Sequence, residues 1–275
     1  MNTKKLRKDM IKYIYEMGTL KWTPSRDIIG ERFPQKNSVM IYCKGKTYYG
    51  PPYSKHNIIM YEDFKTGVRS GVYHIPDFTY RMPSMNCAGP YLCFFSKYMS
   101  VPLNFAFADF ILDAKYFQPI GDIRIDKNTF LNYQLSSVFP EQQFYNCYKQ
   151  MQMGDFFGFI FREQAMRGPW GHMCMVSGNV HVEENPDGTI NGVNSYVFII
   201  EFGRLLSQTY DSNYYGGLVK SEDYVVSYKQ NKKLTDISTL SDLKDKTTHF
   251  QFNRKLTFRE LYHNGYLPFR SVLFL

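Results

Sequence analysis

Cys87 is the residue of this chain with the clearest claim to chemistry. It precedes the small residues Ala88 and Gly89 and a proline, and the apolar positions of residues 91–98 then recur at helical spacing. The pattern predicts a buried helix that begins just after the cysteine, with proline at its first position. The positive end of a helix favours the thiolate, which is the nucleophilic form of cysteine. The alternative is inert packing, because free cysteines are common in protein cores.

A cysteine nucleophile needs a base within hydrogen-bonding distance and a polar group that holds the base. His172 is the best candidate among six histidines, because it follows Gly171 at the start of an apolar run. Glu201 ends another apolar run, and a carboxylate buried there would need a cationic partner such as an imidazolium. His181, in a more polar segment where it can equally face solvent, has a weaker claim as the base. The structural alternatives are a histidine packed at a strand start and a glutamate that reaches water.

Hydrophobic patterns predict the elements that would hold these residues. Residues 3–17 have the pattern of an amphipathic helix that ends at Gly18. Helices are also expected at 141–151 and 256–262, and strands at 153–161, 171–178 and 195–202. Consecutive strands joined by turns favour an antiparallel sheet. Because helices precede the sheet, the predicted class is α+β.

The composition is that of a folded globular protein, with 44% hydrophobic and 17% aromatic residues. The net charge of +8 comes mainly from scattered basic residues without a nucleic-acid-reading motif, so nucleic-acid binding is not predicted. A mild basic excess also suits anionic cell-wall material. The five cysteines are odd in number and lack a C-x-x-C pair, which argues against a disulfide framework and a zinc site. We therefore expect no metal.

No run of about 18 apolar residues and no uninterrupted signal-peptide core occur in the chain. The expectation is a protein without a membrane span. A cytoplasmic location is expected unless the chain is exported by another route or a leader was removed.

Three motifs, in this order, resemble the NlpC-type papain-like cysteine peptidases, which act on bacterial cell walls. Asn86-Cys87-Ala88-Gly89 is similar to their Asp-Cys-Ser-Gly, and Gly154-Asp155-Phe156-Phe157 to their Gly-Asp-aliphatic-aromatic strand opening. Residues 171–178 are similar to their Gly-His-Val-Gly-Ile strand. A branch common in gut Firmicutes is also similar at residues 45–54, 187–190, 195–196 and 261–268. The resemblance covers most of the chain from about residue 45 onward.

The resemblance implies a papain-like α+β fold, with N-terminal helices and the cysteine helix packed on an antiparallel sheet. It implies a single domain over residues 1–275, with an N-terminal helical extension of about 1–44 and an insertion at about 101–150. Cys87 would be the nucleophile and His172 the base. The third polar residue would lie on the following strand, where Glu201 and, less well, His181 are available.

Substrate contacts are expected from Tyr53, Asn86 and His181. Tyr53 matches a tyrosine that borders the site in many members of the family. The implied activity is hydrolysis of amide bonds in peptidoglycan stem peptides, typically next to D-glutamate, without a cofactor. The mechanism would form a thioester on Cys87, with the oxyanion held by the Cys87 N–H and a neighbouring donor.

The chain departs from the family pattern in several places. Asn86 stands in place of aspartate, Ala88 in place of serine, and Phe202 where the branch often has glutamine. The interval from Cys87 to Gly154 is long. Two alternatives stay open on the same fold: an acyltransferase or amidase for another substrate, and a non-catalytic wall-binding or interaction protein in which Cys87 is a core residue.

Overall fold

The computed structural model describes residues 2–33, 38–53, 58–79, 82–102, 106–133, 135–161, 170–203 and 250–275. The chain divides into two compact units, of which the first is Met1–Lys12, Pro102–Glu201 and Phe252–Leu275. The second is Tyr13–Val101 and Phe202–Gln251. Helices and antiparallel or mixed sheets together make an α+β protein, which confirms the predicted class.

The first helix, α1, runs from Thr3 to Thr19 and confirms the amphipathic pattern. Its apolar face is buried, and it consists of Leu6, Met10, Ile14 and Met17. The helix continues one residue beyond Gly18, where the sequence pattern ended it. The hydroxyl of Thr19 donates to the carbonyl oxygen of Tyr15 at 2.8 Å, which ties the last turn together.

The other helices in the described ranges are short, and most are buried on one side. They are α2 (Tyr61–Gly67), α3 (Gly89–Phe95), α4 (Phe107–Leu112), α5 (Lys127–Asn132), α6 (Leu135–Val138), α7 (Glu141–Lys149), α8 (Phe258–His263) and a 3₁₀ turn at Val272–Phe274. No helix among the described residues has the length and apolar character needed to cross a membrane. Helix α8 begins with a capping box in which Thr257 and Glu260 each accept the other's backbone N–H.

Two small sheets belong to the second unit. Their strands are β1 (Lys21–Pro24), β2 (Ile28–Phe33), β3 (Ser38–Tyr42), β4 (Tyr48–Tyr49), β5 (Val68–Arg69) and β6 (Val72–Tyr73), in the orders β4-β1-β6-β5 and β2-β3. Trp22 is the centre of an aromatic core here, with its ring 5.2 Å from the rings of both Tyr48 and Phe64. Its indole N–H donates to the carbonyl of Gly50 at 2.7 Å, so the buried polar group is satisfied.

The larger sheet has six strands among the described residues. They are β7 (Phe117–Pro119), β8 (Phe156–Phe161), β9 (Trp170–Val176), β10 (Tyr196–Phe202), β11 (Phe250–Thr257) and β12 (Leu267–Ser271), in the order β11-β10-β9-β8-β12-β7. The four neighbouring pairs from β10 to β7 are antiparallel. Strands β8, β9 and β10 confirm the three predicted strands. Strand β12 was not expected, and it pairs with both β7 and β8.

The buried carboxylate of Asp155 fixes the start of β8. Arg7 donates to its Oδ1 at 2.8 Å, and Arg270 donates to its two oxygens at 3.0 and 2.7 Å. The backbone N–H of Gln152 also donates to Oδ2, at 2.8 Å. A fully buried carboxylate is tolerated only with such compensation. In this structure, the aspartate of the Gly-Asp motif therefore joins α1, the β8 start and β12.

Two glycines allow α4 to pack closely on the sheet. A Cβ at Gly171 in β9 would lie 1.7 Å from Cδ1 of Phe107, and one at Gly158 in β8 would lie 2.2 Å from Cδ1 of Ile111. Real Cβ atoms do not approach other atoms so closely, so the Phe107 ring and the end of the Ile111 side chain would have to move. Gly171 therefore sets the distance between α4 and the strand that carries His172.

We expect Gly171→Ala to destabilise the fold by about 1–3 kcal/mol, because the added methyl must push the Phe107 ring out of its site. Equilibrium urea unfolding measures the loss. The matched control is Gly178→Ala, since a Cβ there would meet no described heavy atom within 4 Å. The control should be neutral or slightly stabilising. Equal stabilities of the two variants would contradict this packing.

Candidate active site

His172 lies in β9 with 1% of its side chain exposed. It is paired across the sheet with Phe159 of β8, and the two rings meet edge to face with centroids 5.4 Å apart. Phe159 is in turn stacked on Tyr266 at 4.1 Å. The imidazole is therefore held by rigid aromatic neighbours, which restrict its rotation.

Glu201 lies near the end of β10, directly opposite Cys174 of β9. Since alternate residues of a strand share a face, His172 and Cys174 point to the same side, and Glu201 is the diagonal neighbour of His172. Its Oε1 is 2.8 Å from Nε2 of His172, and only 2% of the glutamate side chain is exposed. The structure thus brings these two predicted site residues together.

Arg254 of β11 is a third member of this cluster, and the sequence patterns did not predict it. Its guanidinium Nη1 donates to Oε2 of Glu201 at 2.8 Å, so each carboxylate oxygen has a cationic or potentially cationic partner. A sequence signal existed: Arg254 shares strand parity with Phe250 and Leu256, which are buried. A charged residue on the inward side of a strand requires a partner.

The pKa of Glu201 reflects competing effects. Burial by itself raises this pKa, but the hydrogen bond and charge of His172, together with the charge of Arg254, outweigh burial and lower the pKa from 4.5 to about 2. Glu201 is therefore an anion at any physiological pH. A permanent anion beside an imidazole can orient the ring and stabilise its protonated form.

Cys87 belongs to the second unit and lies just before helix α3, with 7% of its surface exposed. The chain that leads to it is anchored, because the N–H of Met85 donates to the carbonyl of Pro52 at 2.9 Å. The turn after it requires glycine, since a Cβ at Gly89 would lie 2.8 Å from Cβ of Met85. The predicted buried helix after the cysteine is present, but it ends at Phe95 and leaves Tyr98 43% exposed.

Asn86 closes the turn that carries Cys87. Its side-chain oxygen accepts the backbone N–H groups of Ala88 and Gly89 at 3.1 and 2.9 Å. Asparagine is suited to this role because its short side chain reaches the free N–H groups at a helix start. Its observed contacts are therefore with the backbone of the cysteine turn.

The remaining predicted contact residues lie in different surroundings. Tyr53 is buried, forms a parallel β-bridge with Met85, and has its ring 5.4 Å from that of Phe202. His181 is exposed and stacks on Tyr196 at 4.6 Å. Glu201, and not His181, is the residue whose side chain lies against His172.

No group of three or more His, Cys, Asp or Glu side chains suited to a metal ion occurs in the described part of the chain. No family model, no curated protein and no solved structure matches this chain.

Glu201→Gln is expected to remove a pH-dependent part of the stability. Because the pKa of Glu201 is about 2 in the fold and ordinarily 4.5, its ionised form stabilises the fold fully above that ordinary value. This contribution is lost as the pH falls from 4.5 towards 2. It amounts to on the order of 3 kcal/mol at neutral pH. Denaturant unfolding across this pH range should show that the difference in the free energy of unfolding between the parent and the variant decreases as the pH falls.

The matched control is Glu184→Gln, which removes an exposed carboxylate that pairs with Lys149 at the surface, at 2.9 Å. Exposed pairs contribute little, so this variant should unfold nearly as the parent does. A gap for Glu201→Gln that stays constant with pH would show that the carboxylate is not ionised in the folded protein.

Proposed function

We propose that this protein is a cysteine peptidase that hydrolyses amide bonds of peptidoglycan stem peptides. Cys87 is the nucleophile, His172 the general base, and Glu201 the residue that orients the base. The observation that carries the proposal is the buried imidazole–carboxylate contact, in which Nε2 of His172 lies 2.8 Å from Oε1 of Glu201. This arrangement matches what a thiol nucleophile requires of its base.

The orientation of His172 assigns its two nitrogens to different tasks. Because Nε2 lies 2.8 Å from Oε1 of Glu201, Nδ1 is assigned as the nitrogen that takes the thiol proton in the proposed mechanism. Glu201, whose pKa is lowered to about 2, is ionised when the imidazolium forms and stabilises it. The carboxylate itself takes no proton during the reaction.

In the proposed reaction the Cys87 thiolate attacks the amide carbon and forms a tetrahedral oxyanion. The oxyanion is assigned to the backbone N–H of Cys87 and a neighbouring donor. Collapse breaks the carbon–nitrogen bond, and the leaving amine takes the proton from His172. Water, activated by neutral His172, then hydrolyses the thioester and frees Cys87.

The substrate class is supported by the motifs, not by the cysteine chemistry alone. The ordered likeness at Cys87, Gly154 and His172 to wall-acting peptidases points to stem peptides, and the net charge of +8 suits an anionic wall. Tyr53, whose strand bridge joins it to Met85, lies beside the chain segment that leads to the nucleophile. We assign it, with Asn86 and His181, to substrate contact.

Iodoacetamide should alkylate Cys87 rapidly below pH 8, because a thiol activated by a base reacts as thiolate below the ordinary cysteine range. We expect His172→Ala to slow labelling at about pH 6.5 by roughly tenfold or more, and Cys87→Ala to abolish the fast phase. Peptide mass mapping identifies the labelled cysteine. Background labelling should be slow, since burial raises the pKa of Cys93 to about 12 and also raises that of Cys147.

The control variant is His74→Ala, which removes an exposed histidine outside the proposed site and should leave the labelling rate unchanged. If Cys87 labels only when the protein unfolds, Cys87 is a core residue and the interaction-protein alternative replaces the hydrolase.

Digested peptidoglycan incubated with the protein should yield fragments that are heavier by one water in total, and His172→Ala should yield none. Mass spectrometry reads the products, and an amine-reactive label reports each new amino group. Fast alkylation of Cys87 without cleavage of any wall type would favour an acyltransferase or an amidase for another substrate.

A further inference from the structure

The guanidinium of Arg254 shares the Glu201 carboxylate with His172. Its Nη1 lies 2.8 Å from Oε2, while Nε2 of His172 lies 2.8 Å from Oε1. The Arg254 side chain is 32% exposed, so its charge stays partly hydrated while it reaches a carboxylate that is 2% exposed. The contact joins residues 53 positions apart in the sequence.

We propose that Arg254 is a positioning residue that fixes the rotation of the Glu201 carboxylate and keeps His172 neutral, and hence basic, near neutral pH. Its meaning for catalysis rests on the proposed function, whereas its effect on the protonation of His172 does not.

The charge balance gives the reason. A buried carboxylate alone beside an imidazole would favour the imidazolium, and a protonated His172 could not accept a proton from a thiol. With Arg254 bound, the carboxylate and guanidinium form a neutral pair, and the imidazole experiences much less negative potential. Glu201 can then orient His172 without protonating it.

The geometry gives a second reason. A carboxylate held at one oxygen can rotate, whereas here Oε2 accepts a hydrogen bond from Arg254 and Oε1 lies 2.8 Å from Nε2 of His172, so both oxygens are restrained. Arg254 comes from β11 and His172 from β9, on either side of β10, which carries Glu201. The carboxylate is therefore held from both neighbouring strands.

Among the described residues of the first unit, four titratable groups on the elements around this cluster do not replace Arg254 in this role. They are Tyr266, the Cys174 thiol, Glu260 in the α8 capping box, and Asp109 of α4, which pairs with Lys127 at the surface. Burial and the charge of Glu201 raise the pKa of Tyr266 well above its ordinary value. None of the four is a cation. Within the part of the chain that the structure describes, Arg254 is the arginine that contacts Glu201.

The test is the titration of His172 in Arg254→Gln, followed by NMR of histidine-labelled protein and assigned with His172→Ala. The titration midpoint of His172 should rise by about one pH unit relative to the parent, because the negative charge of buried Glu201 is no longer offset by the guanidinium. The matched control is Lys255→Gln, which removes the same charge one residue along β11, where the ammonium lies 3.9 Å from the Tyr196 ring centroid. Its His172 midpoint should stay within about 0.3 of the parent.

The double variant Glu201→Gln/Arg254→Gln covers the case in which the single variant does not fold, because it leaves no uncompensated buried charge. Replacing one neutral pair by another should leave the His172 midpoint within about 0.5 of the parent. A His172 midpoint that falls by more than about one pH unit in the double variant would show that, in the parent, the charge of Glu201 raises the pKa of His172 in spite of Arg254. That result, or an unchanged midpoint in a folded Arg254→Gln variant, overturns the proposal.

Alkylation of Cys87 separates this proposal from the hydrolase itself. In Arg254→Gln the pH profile of labelling should move to higher pH together with the His172 midpoint. A midpoint that rises by about one pH unit should therefore lower the neutral fraction of His172, and with it the labelling rate at pH 6.5, by roughly three- to sixfold. A raised His172 midpoint with an unchanged Cys87 profile leaves the Arg254 role standing and removes Cys87 as the partner of His172.

Discussion

The need to neutralise buried carboxylates governs the organisation of the first unit. Asp155 at the start of β8 and Glu201 near the end of β10 are both almost inaccessible to solvent, and each is bound by two basic side chains. The chemical difference lies in the partners. Arginine side chains are charged at every pH that a protein experiences, so the Asp155 cluster, which contains two of them, is a fixed structural joint.

The Glu201 cluster contains one arginine and one histidine, and the histidine can exchange a proton near neutral pH. This single difference makes one cluster a candidate for chemistry and the other a support. The Asp155 cluster also helps to position His172. Asp155 fixes the start of β8, and β8 pairs along its length with β9, which carries His172.

Two glycines matter in this structure because they have no side chain. At Gly171 the missing side chain leaves room for the Phe107 ring of α4, immediately before His172 in the strand. At Gly89 the missing side chain lets the turn after Cys87 fold back against Met85. Two of the three motifs on which the resemblance depends therefore contain a glycine with a steric reason, and that reason holds whether or not the protein is an enzyme.

Local periodicity was sufficient to predict α1, the helix after Cys87 and strands β8 to β10, because each depends on a run of residues whose own spacing selects a helix or a strand. The candidate pair of His172 and Glu201 also followed from residue type and position at strand ends. Strand β12, which pairs with β7 and β8, and the role of Arg254 were decided only by the tertiary structure. Their partners lie far away in the sequence, and a short segment carries no information about which distant strand or charge it will meet.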